Sequence, residues 1–138
     1  MNVRSKFMDY RFMIKNRPLV EGELKRLDRR INIKTSGIKS EDGFNDKDLM
    51  DRYNDLIERK LRLEETLLDY DSSIELINQM MWLLNTEMPI EYEAIKMYYI
   101  DCQPISVLMK RLNFSKAQCW RYIKNGEREL EKIYAIVK

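Results

Sequence analysis

Five cations, Lys110, Arg111, Lys116, Arg121 and Lys124, fall between Ser106 and Gly126, a stretch with no acidic residue. Ser115, Gln118, Trp120 and Asn125 are interleaved with them. Lysine and arginine meet phosphate oxygens, while arginine and glutamine also hydrogen-bond base edges in a major groove. The chemistry these residues offer is binding of a polyanion. The ordinary alternative is a set of cations that only solubilises exposed helix faces. Bond-making chemistry has little to stand on. Histidine is absent, which removes the commonest general base, metal ligand and nucleophile partner. The acidic residues are spread along helix faces, and no glycine-rich phosphate loop occurs. Cys102 and Cys119 have no metal-ligand spacing and are expected to be reduced and mostly buried. The expectation is a protein that is not an enzyme and holds no metal or cofactor.

The elements that must position these residues are helices. The chain has 138 residues, 44% hydrophobic and 35% charged, with four glycines and three prolines, which is the composition of an all-α protein with one modest core or two small ones. No run approaches the roughly 18 apolar residues of a membrane span, and Met1 to Lys6 lead into no apolar signal core, so the expected location is the cytoplasm.

Charge divides the chain into three zones. Residues 1–34 hold ten Lys/Arg against four Asp/Glu, residues 35–89 six against thirteen, and residues 90–138 nine against six, giving +6, −7 and +3. An acidic middle excludes uniform coating of a nucleic acid, so contact should be confined to one or both ends.

Val20, Leu24, Leu27 and Ile31 share one helical face, and Pro18 just before them predicts a helix that begins there, with residues 5–16 forming a separate short helix. The polar run from Lys34, with Gly37 and Gly43, reads as a loop over 35–45, and Asn45 as the cap of the next helix. That helix carries Leu49, Tyr53, Leu56, Lys60, Leu63, Leu67, Tyr70, Ile74, Ile77, Met81 and Leu84 at alternating spacings of 4 and 3. Such a heptad predicts a coiled coil, either a hairpin with residues 19–34 or a seam with a second copy. Ile57, Leu61 and Leu68 widen the stripe and suggest that more than one helix packs on it. Residues 19–34 would span about 24 Å against about 60 Å for residues 46–85, too little to cover the seam. Self-association, with a dimer favoured, is therefore expected through Leu49, Tyr53, Leu56, Leu63, Leu67, Tyr70, Ile74 and Ile77.

Pro89 breaks the pattern and predicts a domain boundary, with a coiled-coil region at 1–87 and a second domain at 88–138. The second reads as three short helices. Ile90, Ala94, Met97 and Tyr98 would face the core from the first. Ile105, Leu108 and Leu112 would do so from the second, which starts at Pro104. After a turn at Asn113-Phe114 the third is capped by Ser115 and carries Cys119, Tyr122, Gly126, Leu130, Ile133 and Val137. Two helices joined by so short a turn, with the cations on the face opposite the core, predict a helix-turn-helix domain.

Three stretches carry a family likeness: Tyr98-Tyr99-Ile100-Asp101, the segment from Pro104 to Lys116, and the tail from Glu129 to Ile133. On these, residues 90–134 resemble region 4 of bacterial sigma factors. The whole chain resembles the small phage regulators of late transcription of the ArpU and RinA type. The chain departs from the sigma pattern at Glu127, where an apolar residue is usual, and at Asn125, where a basic one is common. The resemblance implies a transcription activator of phage or mobile-element late genes. The double-stranded-DNA-facing set that the likeness carries over is Ser115, Lys116, Gln118, Arg121 and Lys124; side-chain type adds Lys110, Arg111, Trp120 and Asn125, and RNA polymerase is a further candidate partner. Two alternatives stay open. A small terminase subunit also joins a DNA-binding helical domain to an oligomerising coil. A protein-binding module would occupy RNA polymerase or a host regulator without holding DNA itself.

Overall fold

The computed structural model describes residues 1–38 and 46–137, with side chains for 1–33 and 47–137. Every regular element among them is helical: α1 (Val3–Ile38), α2 (Asp46–Glu87), α3 (Pro89–Ile95) running into a π-helical turn (Lys96–Ile100), α4 (Ile105–Leu112) and α5 (Lys116–Val137). No helix of the described residues is long and apolar enough to cross a membrane.

The chain does not start a new helix at Pro18. Helix α1 is continuous for 36 residues with Pro18 inside it. Proline removes one helical hydrogen bond and crowds the carbonyl four residues back, at a cost of about 3 kcal/mol. Packing on both sides offsets that, because Val3 and Phe7 are buried before the proline and Leu27 and Ile31 after it. Helix α1 also continues to Ile38, so the first four residues of the expected loop are helical. The rest of that loop and the expected cap Asn45 lie outside the described residues.

Two compact units result, one of residues 1–13 with 73–138 and one of residues 14–72. The break at Pro89 interrupts the helix but not the core. The reason is burial. Val3, Phe7, Ile77, Met80, Met81 and Leu84 form one cluster with Ala94, Ile95, Met97, Leu108, Cys119, Ile123, Leu130 and Ile133.

In the unit of residues 14–72, Leu27 and Ile31 of α1 pack with Leu56 of α2, flanked by Tyr53, Ile57 and Leu63. Ion pairs border this seam. Arg17 grips Asp71 through two nitrogens at 2.5 and 3.2 Å and also meets Glu21 at 2.6 Å. Arg59 reaches Glu23 at 3.0 Å. Lys60, the non-apolar member of the heptad, lies 2.9 Å from Asp28. That carboxylate holds the ammonium above its ordinary range, and the Arg17 guanidinium holds the Asp71 carboxyl below its own.

Helix α1 spans 36 residues, about 54 Å at 1.5 Å per residue, more than the roughly 24 Å expected from residues 19–34 alone. Of the residues expected to join copies of the chain, Leu56 and Ile77 are buried within the chain itself, while Leu49, Tyr53, Leu63, Leu67, Tyr70 and Ile74 are half-buried. Leu61 and Leu68 carry no second packing helix and are 58% and 67% exposed. Each lies one residue past a seam position, on the outer flank of α2.

Candidate nucleic-acid interface

The exposed cations are placed by the packing of three short elements. Helix α3 crosses α5 at Gly126, where a side-chain carbon would lie 2.7 Å from Ile95 Cγ1 and 3.4 Å from Glu91 Cβ. Lacking a side chain there, α5 comes close enough to bury Ile95 completely. The core face of α3 thus turns onto Ala94 and Ile95, and the expected core residue Ile90 is 43% exposed. The π-helical turn follows, closed by Asp101 N–H donating to the Lys96 carbonyl at 2.9 Å. It leaves Met97 buried and Tyr98, Tyr99 and Ile100 half-buried in sequence.

Helix α4 buries Leu108 and half-buries Ile105 and Leu112, with Pro104 at its cap position. It ends on Asn113 in the left-handed region (φ 59°, ψ 43°), a conformation that asparagine tolerates and that turns the chain sharply. Phe114 continues the turn, its ring 4.9 Å from that of Tyr122. Ser115 then caps α5 in a reciprocal box. Gln118 N–H donates to Ser115 Oγ at 3.2 Å, and Ser115 N–H donates to Gln118 Oε1 at 3.1 Å. Cys119, Ile123, Gly126, Leu130 and Ile133 form the buried stripe of α5, with Ile123 added and Tyr122 and Val137 only half-buried.

Opposite that stripe the polar set emerges. Lys110 and Arg111 are exposed in the last turn of α4, where they also favour the helix dipole. Ser115, Lys116, Gln118, Arg121 and Lys124 are exposed and Asn125 is half-buried. Among the described residues, none of the five cations is ion-paired, whereas Arg17, Arg59, Lys60 and Arg62 on the long helices all are. A cation left without an internal carboxylate keeps its full charge for an external anion.

Two members of the expected set have other occupations. The carbonyl of Gln118 is committed to the cap and is not free to accept from a base. Trp120 is half-buried with its ring edge-on to Tyr98, 5.3 Å between centroids, so it packs at the rim of the core. Replacing Ser115 with alanine should cost about 1 kcal/mol of stability, read as a lower denaturant midpoint at unchanged slope.

Glu127 has a role the sequence pattern did not signal. It accepts the hydroxyl hydrogen bond of Tyr99, whose ring stacks on Phe7 at 5.4 Å and 12°. Arg11 donates to the Tyr99 carbonyl at 2.5 Å and lies 2.7 Å from Cys102 Sγ. Cys102 is exposed, contrary to the expectation of a buried thiol, and Cys119 is fully buried. The left-handed backbone of Cys102 (φ 54°) turns it out at the end of the π-helical turn.

Burial first, and then the bond to Glu127, push the Tyr99 hydroxyl well above the ordinary phenol value of 10.0. The unfolded chain ionises at that value while the folded chain stays protonated. The contribution is therefore complete below pH 10 and is lost as pH rises from there through the folded value. Tyr99→Phe should flatten the fall of melting temperature above pH 10, leaving the part due to Tyr10, which burial also raises.

The signal for Arg4 and Arg11, which line a cleft against Tyr98 and Pro104, was their seven-residue spacing on a helix, missed because the expected short helix began at residue 5 while α1 begins at Val3. Compared with family models, curated proteins and solved structures, the chain has no match.

Proposed function

We propose that residues 88–138 form a helix-turn-helix domain, that α5 enters the major groove of double-stranded DNA, and that the protein is a sequence-specific regulator of transcription. The observation that carries this reading is the exposed, acid-free face of α4 and α5. It holds five cations without an ion pair among the described residues, three of them on α5, whose first turn is fixed by a capping box. Lys110, Arg111, Lys116 and Lys124 meet phosphates. Arg121, one turn into α5 and with its guanidinium uncommitted, reads a base edge. The likeness to sigma region 4 and to ArpU/RinA-type regulators favours activation of late genes of a phage or mobile element, in the cytoplasm and with RNA polymerase as a partner. Leu61 and Leu68, exposed on α2, suit a second copy of the chain, which would pair two half-sites.

Arg121→Ala tests the assignment. Competition between a selected site and its single-base variants should show discrimination at one base pair falling by about 1–3 kcal/mol, with the other positions unchanged. Unaltered affinity and unaltered preference would remove Arg121 from the reading set.

A further inference from the structure

The cleft between α1 and the start of α4 has a volume of about 380 Å³ and is lined by Arg4, Met8, Arg11, Tyr99, Cys102 and Gln103 among others, with no acidic side chain. Arg4 and Arg11 are seven residues apart on one helix, hence on one face and about 10.5 Å apart along the axis. Neither is ion-paired among the described residues. Arg4 and Tyr99 also line the neighbouring cleft, which contains Glu127 and Glu131.

Arg11 is already held. Its Nη1 is fixed on the Tyr99 carbonyl at 2.5 Å and beside Cys102 Sγ at 2.7 Å. A guanidinium has five N–H donors in a rigid fork, so anchoring one nitrogen to neutral groups orients the rest without spending the charge. Gln103 and Pro104 on the opposite wall lead into α4, which starts without a side-chain cap. An oriented guanidinium, a second one on the same face and a lining that holds no carboxylate among the described residues fit a phosphate oxyanion.

We propose that this cleft binds a backbone phosphate of the same DNA duplex, so that Arg4 and Arg11 extend the interface from α4 and α5 onto the N-terminal helix. The inference rests on the DNA-binding reading above. It makes the first thirteen residues a DNA contact as well as part of the core through Val3 and Phe7.

The test is duplex binding by the full chain over a salt series, for wild type, Arg4→Gln, Arg11→Gln, Lys124→Gln and the control Lys25→Gln, which is exposed on α1 and is not among the residues that line the cleft. Each arginine variant should lower the salt slope by about one and weaken affinity about fivefold at 0.15 M salt, equally for selected and random duplexes. Lys25→Gln should change neither. Arg4 is exposed and has no ion pair among the described residues, so Arg4→Gln keeps its melting temperature and decides the matter should Arg11→Gln unfold.

If wild type binds and Lys124→Gln weakens it while Arg4→Gln binds as wild type, the cleft is no DNA contact and the DNA-binding reading survives. If wild type binds no duplex at low salt, both fail. Inorganic phosphate is the second source of the same oxyanion. A melting temperature raised by phosphate over chloride at equal ionic strength, lost in Arg4→Gln and accompanied by an unchanged duplex slope, would assign the cleft to the free ion and overturn the proposal.

Discussion

Gly126→Val lowers the melting temperature by about 10–20 °C. Even the first added carbon would stand 2.7 Å from Ile95 Cγ1 and 3.2 Å from Ile95 Cδ1, closer than side-chain carbons approach one another. Ile95 has no room to retreat, being fully buried, and Ala94 beside it is buried as well. Overpacking of this kind costs about 1–3 kcal/mol, and each kcal/mol moves the melting temperature of a domain this size by about 4–8 °C. Valine has two further methyl groups to place, while its better helix propensity recovers only a few tenths of a kcal/mol. Gly22 supplies the control. It lies inside α1 with nothing within 4 Å of the position its side chain would take, so Gly22→Ala should stabilise by about 0.5–1 kcal/mol. A Gly126 variant as stable as wild type would mean that α3 and α5 do not cross there.

The second large effect concerns charge. Replacing Lys110, Arg111, Lys116 and Lys124 together by glutamine removes four exposed cations that take part in no ion pair among the described residues. The fold should keep its melting temperature, since exposed charges of this kind contribute little to stability. Duplex affinity should fall about a thousandfold at 0.15 M salt, and the slope of log affinity against log salt should fall by about four. Specificity should change far less, because these side chains meet phosphates and Arg121 keeps its base contact. Unchanged affinity in a correctly folded variant would mean that the face is a solvated surface and no more.

Much of this arrangement was legible in the residues. The alternation of apolar positions from Leu49 to Leu84 marks α2. The sequence Leu112-Asn113-Phe114-Ser115 marks a helix end, a left-handed turn and a cap, each through a residue suited to its backbone conformation. Local rules failed where distant packing overrode them. Pro18 reads as a helix start, yet apolar residues on both sides of it are buried, and the helix passes through. Ile95 is displaced into the core by an absent side chain 31 residues away, at Gly126, which no periodicity within α3 reveals.

Polar partnerships were harder still. Gln118 is a base-reading candidate by side-chain type, and no local rule for that role shows that its Oε1 accepts from the Ser115 N–H three residues back. Glu127 departs from the sigma pattern and is accounted for by Tyr99, a hydroxyl 28 residues away in sequence. Arg4 and Arg11 fell outside the expected site because their cleft needs Tyr98, Tyr99 and Pro104 brought against α1. Charge counting alone found the basic N-terminal zone but not what it faces.

The most direct test of the central claim is fluorescence anisotropy of the full-length protein with labelled duplex fragments of its native genome and with a random duplex, at several salt concentrations. Tight binding that selects certain fragments and weakens steeply with salt is the expected result. No binding to any duplex at low salt would contradict the account, and co-purification with RNA polymerase subunits in that case would make the domain a protein-binding module.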